Sequence, residues 1–307
     1  MVLCEVSEGL SFPLIWGICT VLGAMAVMSL SSVVFCWLYW RPTYEQWRHK
    51  SNPAYPSPGK VREEIIQCLK GMVMAVLCPA ITIWLSSRGL AKGFCGAQQY
   101  SWGFQVLVQV VFWLFVDFTE FYYHRATHVY KFLWRFHKHH HTFFNPSPFA
   151  VIADEMLDQF VRASPMLLFP LFVPINIDLM FLQMGIFSYG YGVYLHSGHE
   201  LKWPDAHHPW INTAFQHYCH HAMSIYNKPY HCGFFLKVFD RMWGCMYTGK
   251  CLCVKCATER GERSYEKWEA VEKPDYSVLL SVPFWCEGLA LEWKQIRRLG
   301  AALLLLK

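Results

Sequence analysis

Residues 11–40 read "SFPLIWGICTVLGAMAVMSLSSVVFCWLYW", thirty positions without a single charged side chain. A helix needs about 20 apolar residues to cross the hydrocarbon core of a bilayer, so this segment crosses with length to spare. Only Glu5 and Glu8 carry charge before it. It therefore lacks the basic n-region of a cleaved signal peptide and is expected to remain as a span. The composition agrees: 54% of the 307 residues are hydrophobic and 16% charged, against about 25% charged in a typical soluble domain. The net charge of +5 is modest and forms no basic stripe on a soluble fold, so nucleic-acid binding is not expected.

After the span comes a polar, proline-rich segment, residues 41–70, with six Lys/Arg. Apolar runs follow at 71–87 and 99–116, joined by a loop whose only charges are Arg88 and Lys92. The Lys/Arg excess assigns 41–70 to the cytosolic side. The N-terminus then faces the lumen, and 71–116 forms a hairpin returning to the cytosol. A second apolar stretch, 163–195, is interrupted by Pro165, Pro170, Pro174 and Asp178. It falls short of two full crossings, so a tilted or re-entrant hairpin is expected. Residues 276–291, with Glu287, are expected at the interface, and "AALLLLK" at 301–307 is too short to span.

The expected fold is an all-α, multi-pass integral membrane protein whose cytosolic helical cap holds a histidine-rich di-metal site. Residues 1–116 would be the transmembrane region with its linker 41–70. Residues 117–250 would be the histidine-box region with membrane hairpin 163–195, and 251–307 a cytosolic or interfacial tail.

Fourteen of the fifteen histidines fall between His124 and His231, which scattered surface histidines would not do. His124 and His128 form H-x-x-x-H; His137, His140 and His141 form H-x-x-H-H; His217, His220 and His221 form a second H-x-x-H-H. His196 and His199 follow the second hairpin. Positions i, i+3 and i+4 share a helix face, so each group is expected to aim its rings one way. One ion rarely takes more than six ligands, and this number suggests two. A thiolate-free imidazole shell with open positions suits redox iron and would also bind zinc. Asp117, Glu120 and Glu155, with Asp154, Asp158 and His231, are candidates to orient those rings; helix capping or pairing with Arg125 and Arg162 is the plainer alternative. His49 reads as a surface residue, His139 points off the shared face, and His207 and His208 flank Pro209 in a loop.

"GKCLCVKC" brings Cys251, Cys253 and Cys256 together. A metal knuckle there would need a fourth ligand, with Cys245 the only candidate nearby, and reduced or lipidated thiols are the expectation. Most other cysteines sit in apolar runs and form no disulfide framework.

These groups, in this order between apolar hairpins, resemble the fatty acid hydroxylase/sterol desaturase superfamily over roughly residues 105–250. Within it, "HKHHHTFFNPSPFA", "INTAFQHYCHH" and "GFFLKVFDRMWG", ending at Gly244, look most like sterol C-5 desaturases (lathosterol oxidases), which carry a comparable Pro-x-Pro-Phe-Ala turn. Two departures stand out. Glu155-Met156 occupies the place of a further His-Pro pair, and "LHSGHE" at 195–200 has the His-Ser-Gly of sterol 4-methyl oxidases. The resemblance implies a membrane-bound oxidoreductase of the endoplasmic reticulum with two iron ions, its site facing the cytosol. O2 would desaturate or hydroxylate a lipid, with electrons from NAD(P)H delivered through cytochrome b5 or its reductase. No His-Pro-Gly-Gly stretch occurs, so that donor is expected to be separate. Basic Arg125, Lys131, Arg135 and Lys138 would attract it or anchor to anionic headgroups, and Trp113, Phe115, Phe143 and Phe144 are candidate walls of a lipid channel. A sterol is the first expectation for the substrate; fatty-acyl or sphingolipid hydroxylation and sterol 4-methyl oxidation remain open. A non-catalytic metal-binding or transport protein is the remote alternative, since it would want charge inside the spans, and 11–40 and 99–116 have none.

Overall fold

The computed structural model describes residues 3–291. Three helices are long and apolar enough to cross a membrane: α1 (Phe12–Trp40), α2 (Pro58–Ser86) and α3 (Trp102–Val129). α1 begins at Ser11 with Pro13 in its first turn, where a missing N–H costs nothing. It leaves Leu14, Val21, Leu22, Met25 and Val33 exposed, as a lipid-facing helix would. α2 is the most buried of the three, and Trp16 of α1 donates to its Val73 carbonyl at 2.8 Å. Its helical ladder breaks at Val76, because Pro79 has no N–H to give the Ala75 carbonyl.

α2 starts at Pro58, inside the segment that reads as a linker. The Ser57 side chain caps it by accepting from Lys60 N, and its polar residues find tertiary partners. Glu64, fully buried, accepts from the Ser147 N–H at 3.1 Å and from the Ser147 hydroxyl. Arg62 stacks over the Phe284 ring. The chain before α2 is also held: buried Lys50 donates to Asn145 Oδ1 at 3.1 Å. Glu64 and Lys50 together pin the Asn145–Pro148 turn.

The second hairpin descends through α4 (Met156–Ala163) and α5 (Pro165–Phe172), where Pro165 takes the first-turn position. It returns through α6 (Ile177–Gln183), a π-helical turn and α7 (Tyr191–His196). Its tip forms a two-residue parallel ladder with the α2–α3 loop, Gly93 against Ile175 and Phe94 against Asn176. The hairpin therefore reaches as far as the α2–α3 hairpin does and is not shallow. It gains the length from helical residues beyond the apolar run at both ends. At this far end Asp178 accepts from Leu3 N (2.8 Å) and Gly96 N (2.9 Å), and Cys4 is bonded to Cys95.

At the opposite end, residues 263–285 pack onto the ends of α1 and α2. Tyr276 donates to Pro56 O at 2.7 Å, and Trp47, Tyr55 and Trp268 share one buried cluster with it. The segment "AALLLLK" lies outside the described residues. Apart from the short ladder and isolated bridges, the described chain is helical or irregular.

Candidate metal centre

α3 runs from the far end to the histidine end, delivering His124 and His128 in its last turns. At Tyr130 the backbone turns extended. A short helix (Lys131–His137) doubles back, and a 3-10 turn (His140–Thr142) follows. α8 (Ala214–Met223) brings His217, His220 and His221; the Thr213 N–H at its start donates to Gln216 Oε1 at 3.1 Å. His196 ends α7.

Nine imidazoles meet there in two groups. His124, His128, His137, His141 and His220 form one; His140, His196, His217 and His221 form the other. Within each, the nitrogens offered all lie within 4.8 Å of one another. The groups adjoin: ring centroids of His140 and His141 are 5.9 Å apart, those of His220 and His221 5.8 Å. The expectation that each sequence group aims one way is therefore corrected. Successive helical residues diverge by about 100°, so each H-x-x-H-H group divides between the two nests.

The hydrogen bonds fix how the rings face. Nδ1 of His124 reaches Cys232 O (2.9 Å), that of His196 reaches Gly192 O (2.8 Å), and that of His220 reaches Tyr230 O (2.7 Å). His137 Nδ1 reaches Asp158 Oδ2 at 2.9 Å, and His140 Nδ1 reaches Ala153 O at 3.4 Å with Asp154 Oδ1 3.1 Å away. A carbonyl or carboxylate has no proton to give, so each Nδ1 donates and the neutral ring's Nε2 is left as a bare lone pair. Burial, reinforced by neighbouring imidazoles and, for the first three, by the Arg162 guanidinium, holds His137, His140, His217 and His221 well below the usual imidazole range, so they stay neutral.

Those lone pairs converge. Nε2 of His124 and His137 are 3.1 Å apart, as are those of His137 and His141; His196 and His217 approach to 2.9 Å. His128 and His220 Nε2 are buried without any partner. His124 and His137, each donating through Nδ1, set acceptor against acceptor in a buried site, which is unfavourable, and a cation in each nest would take up the inward nitrogens. The donor set, all imidazole nitrogen, fits a transition-metal ion in both places.

Of the other candidates, His199 is not brought in. Its Nδ1 faces Ser197 O, and its ring lies against Tyr39. Of the six residues expected to orient the rings, two lie against them. Asp154 and Asp158 touch the rings, whereas the four others serve elsewhere. Asp117 accepts from Phe235 N (2.8 Å) and Leu236 N (3.3 Å), Glu120 pairs with Arg162, and Glu155 meets His139. His231 accepts from Tyr247 N. Asp158 alone joins three partners: His137, Tyr123 (2.6 Å) and Arg162. Asp240 accepts from Cys232 N and Gly233 N, positioning the very carbonyl that holds His124. It stands inside "GFFLKVFDRMWG", where a lone acid after an apolar run was the available signal.

A cavity borders the site, walled by Val116, Ile152, Met166, Met184 and Phe234, with Asp154 and Arg162 at its polar side. None of Trp113, Phe115, Phe143 or Phe144 lines it. Trp113 packs on Phe235, Phe115 on Phe169, Phe143 joins Ala150 and Ala153, and Phe144 is exposed. Lys131, Arg135 and Lys138 are exposed, whereas Arg125 stacks over Trp243.

Helices able to cross a membrane, ending at two nests of convergent imidazoles, define a membrane protein with a candidate metal centre. Residues 109–245 match the family model described as fatty acid hydroxylase, a stretch that contains every histidine of both nests. That match and the relatives below support a place for the chain in the fatty acid hydroxylase/sterol desaturase superfamily, beside the sterol C-5 desaturases. It is 28% identical to a Delta(7)-sterol 5(6)-desaturase of Gibberella zeae over 73% of this chain and 60% of that protein. It is 27% identical to the lathosterol oxidase of Homo sapiens over 60% of each chain. It is also 31% identical to a Delta(7)-sterol 5(6)-desaturase of Aspergillus fumigatus over 59% of this chain and 49% of that one. The chain thus spans about half to three-fifths of the length of these relatives. No solved structure matches it significantly.

Proposed function

We propose that this chain is a membrane-bound di-iron oxidoreductase that uses O2 to desaturate or hydroxylate a lipid, a sterol first among the candidates. The observation that carries this reading is the pair of adjoining nests with inward lone pairs. Bound iron would supply the redox chemistry by which O2 and two electrons oxidise an unactivated C–H bond. The nine ligand imidazoles would hold it, and the carbonyls and carboxylates behind them keep Nε2 aimed inward. Asp154 and Asp158 offset part of the positive charge that neutral ligands leave on the ions. The apolar cavity beside Asp154 would align the substrate carbon and keep water away.

The names of the relatives support sterol C-5 desaturation. The His-Ser-Gly at 196–198 favours sterol 4-methyl oxidation as the second reading. Electrons would come from NAD(P)H through a separate cytochrome b5 or reductase docking near exposed Lys131, Arg135 and Lys138. We place the protein in the endoplasmic reticulum membrane with its histidine end in the cytosol. The Lys/Arg-rich segment 41–70, which runs into the first turns of α2, lies at that end, and the Cys4–Cys95 disulfide lies at the other, which suits an oxidising lumen.

The test compares lipid profiles of cells expressing the wild type, His140→Ala, or neither. Wild type alone should yield a sterol lacking two hydrogens, or a lipid gaining one oxygen under the alternative readings. An unchanged profile, or turnover retained by His140→Ala, would reject the site.

A further inference from the structure

A second donor cluster lies outside the nests. His207 Nε2 is 3.3 Å from Cys253 Sγ and 3.5 Å from Cys256 Sγ. With Cys251, the four offered atoms lie within 4.8 Å of one another. We propose that His207, Cys251, Cys253 and Cys256 form a structural zinc site that clamps residues 251–256 to the outer side of α8.

The donor set and its spacing carry the argument. Three sulfurs and one imidazole match the Cys3His class of closed tetrahedral zinc sites. With Zn–S near 2.3 Å and Zn–N near 2.05 Å, a tetrahedral edge from nitrogen to sulfur is about 3.6 Å, and both measured separations fall close to it. One ring nitrogen offers a single N–H or a single lone pair, so ordinary hydrogen bonding serves one sulfur well and not two. The chain also builds the site locally. Cys253 caps the helix Val254–Glu259, and its sulfur accepts from the Cys256 amide at 3.5 Å; burial pushes its thiol above the usual range, so a bound metal would have to displace the proton.

The histidine comes from a loop that is firmly placed. His207 N donates to Asp205 Oδ1 at 3.0 Å, and the Ala206 carbonyl accepts from Gln216 (2.8 Å) and Lys237 (3.0 Å). Cys245, the fourth ligand that sequence spacing offered, lies instead with Phe121 and Cys232 in a separate buried cluster. His207 stands forty-four residues before the first of these cysteines, which is why spacing alone did not find it. The cluster packs on Phe215 and Cys219 of α8, the helix that also carries His217, His220 and His221. On binding, the thiols release their protons to solvent, and no redox partner is required.

The test uses the full-length chain purified in detergent and reconstituted with cobalt(II). The wild type should show thiolate-to-cobalt charge-transfer absorption, which the all-imidazole nests cannot produce, and should release one equivalent of zinc more than Cys256→Ser or His207→Ala. In both variants the metal held by the nests should be unchanged. His207 is exposed, so His207→Ala keeps the test open if the cysteine variant fails to fold. Absence of the charge-transfer band, equal metal content in all three proteins, or mass-spectrometric detection of a disulfide or thioester at these cysteines would overturn the assignment.

Discussion

Asp158 is a single side chain that would set the proposed metal site without being a ligand. It accepts from His137 Nδ1 and from the Tyr123 hydroxyl and lies 3.7 Å from Arg162 Nε, so its negative charge fixes the tautomer of a ring that faces two other rings. Asp158→Asn keeps the size but removes the charge, and its amide can present N–H where an acceptor is needed. Metal affinity should fall by roughly 10- to 100-fold, with far-ultraviolet circular dichroism unchanged. Equilibrium metal competition measures it, and wild-type affinity would refute the role. The convergent histidines were legible because helical spacing is written in the sequence. Their supports were not. Asp154 and Asp158 are distinguished from Asp117 and Glu120 only by which way the chain turns after Pro148, a tertiary fact with no local signature. His199 misled because it shares a short stretch with His196 while the chain leaves α7 between them.

Helices α1 and α3 were legible for a different reason: long chargeless runs have no competing reading in water. The start of α2 was hidden because its buried Glu64 and stacked Arg62 look like linker residues until Ser147 and Phe284 are folded against them. Burial of a charge depends on the partner, which one segment cannot reveal. α2 also approaches the turn at 148–152 closely. A Cβ on Gly71 would stand 2.4 Å from the Ile152 carbonyl oxygen and 3.3 Å from Gln159 Cγ. Gly71→Ala must therefore push the helix from the turn that leads into Asp154. We expect a loss of about 1–3 kcal/mol of stability and weaker metal retention. Gly103→Ala, with nothing within 4 Å of the added carbon, should be neutral or slightly stabilising. Thermal melts of the two variants against wild type decide; equal melts would show that the α2 contact tolerates the methyl.

Across the whole molecule, two hairpins and the first span bring residues nearly a hundred positions apart into one site, and that assembly depends on what fills it. Stripped of metal, the nests leave unprotonated nitrogens facing one another in a buried space. A ligand that binds only the folded state stabilises it by mass action. Chelation should thus lower the melting temperature and speed proteolysis at residues 137–145 and 217–231, while the far end, held by Asp178 and the Cys4–Cys95 bond, stays resistant. Hydrogen exchange after dialysis against a chelator reads this directly, and uniform protection at both ends would count against it. The overall layout was legible from charge and apolar length; the depth of the second hairpin was not, because its tip is set by pairing with Gly93–Phe94.

The division of neighbouring histidines between the nests reaches into inheritance. Residues 140 and 141 belong to different nests, as do 220 and 221, so a one-residue insertion or deletion inside either group rotates donors away from both. No lineage can discard one ion and keep the other intact by so small a step.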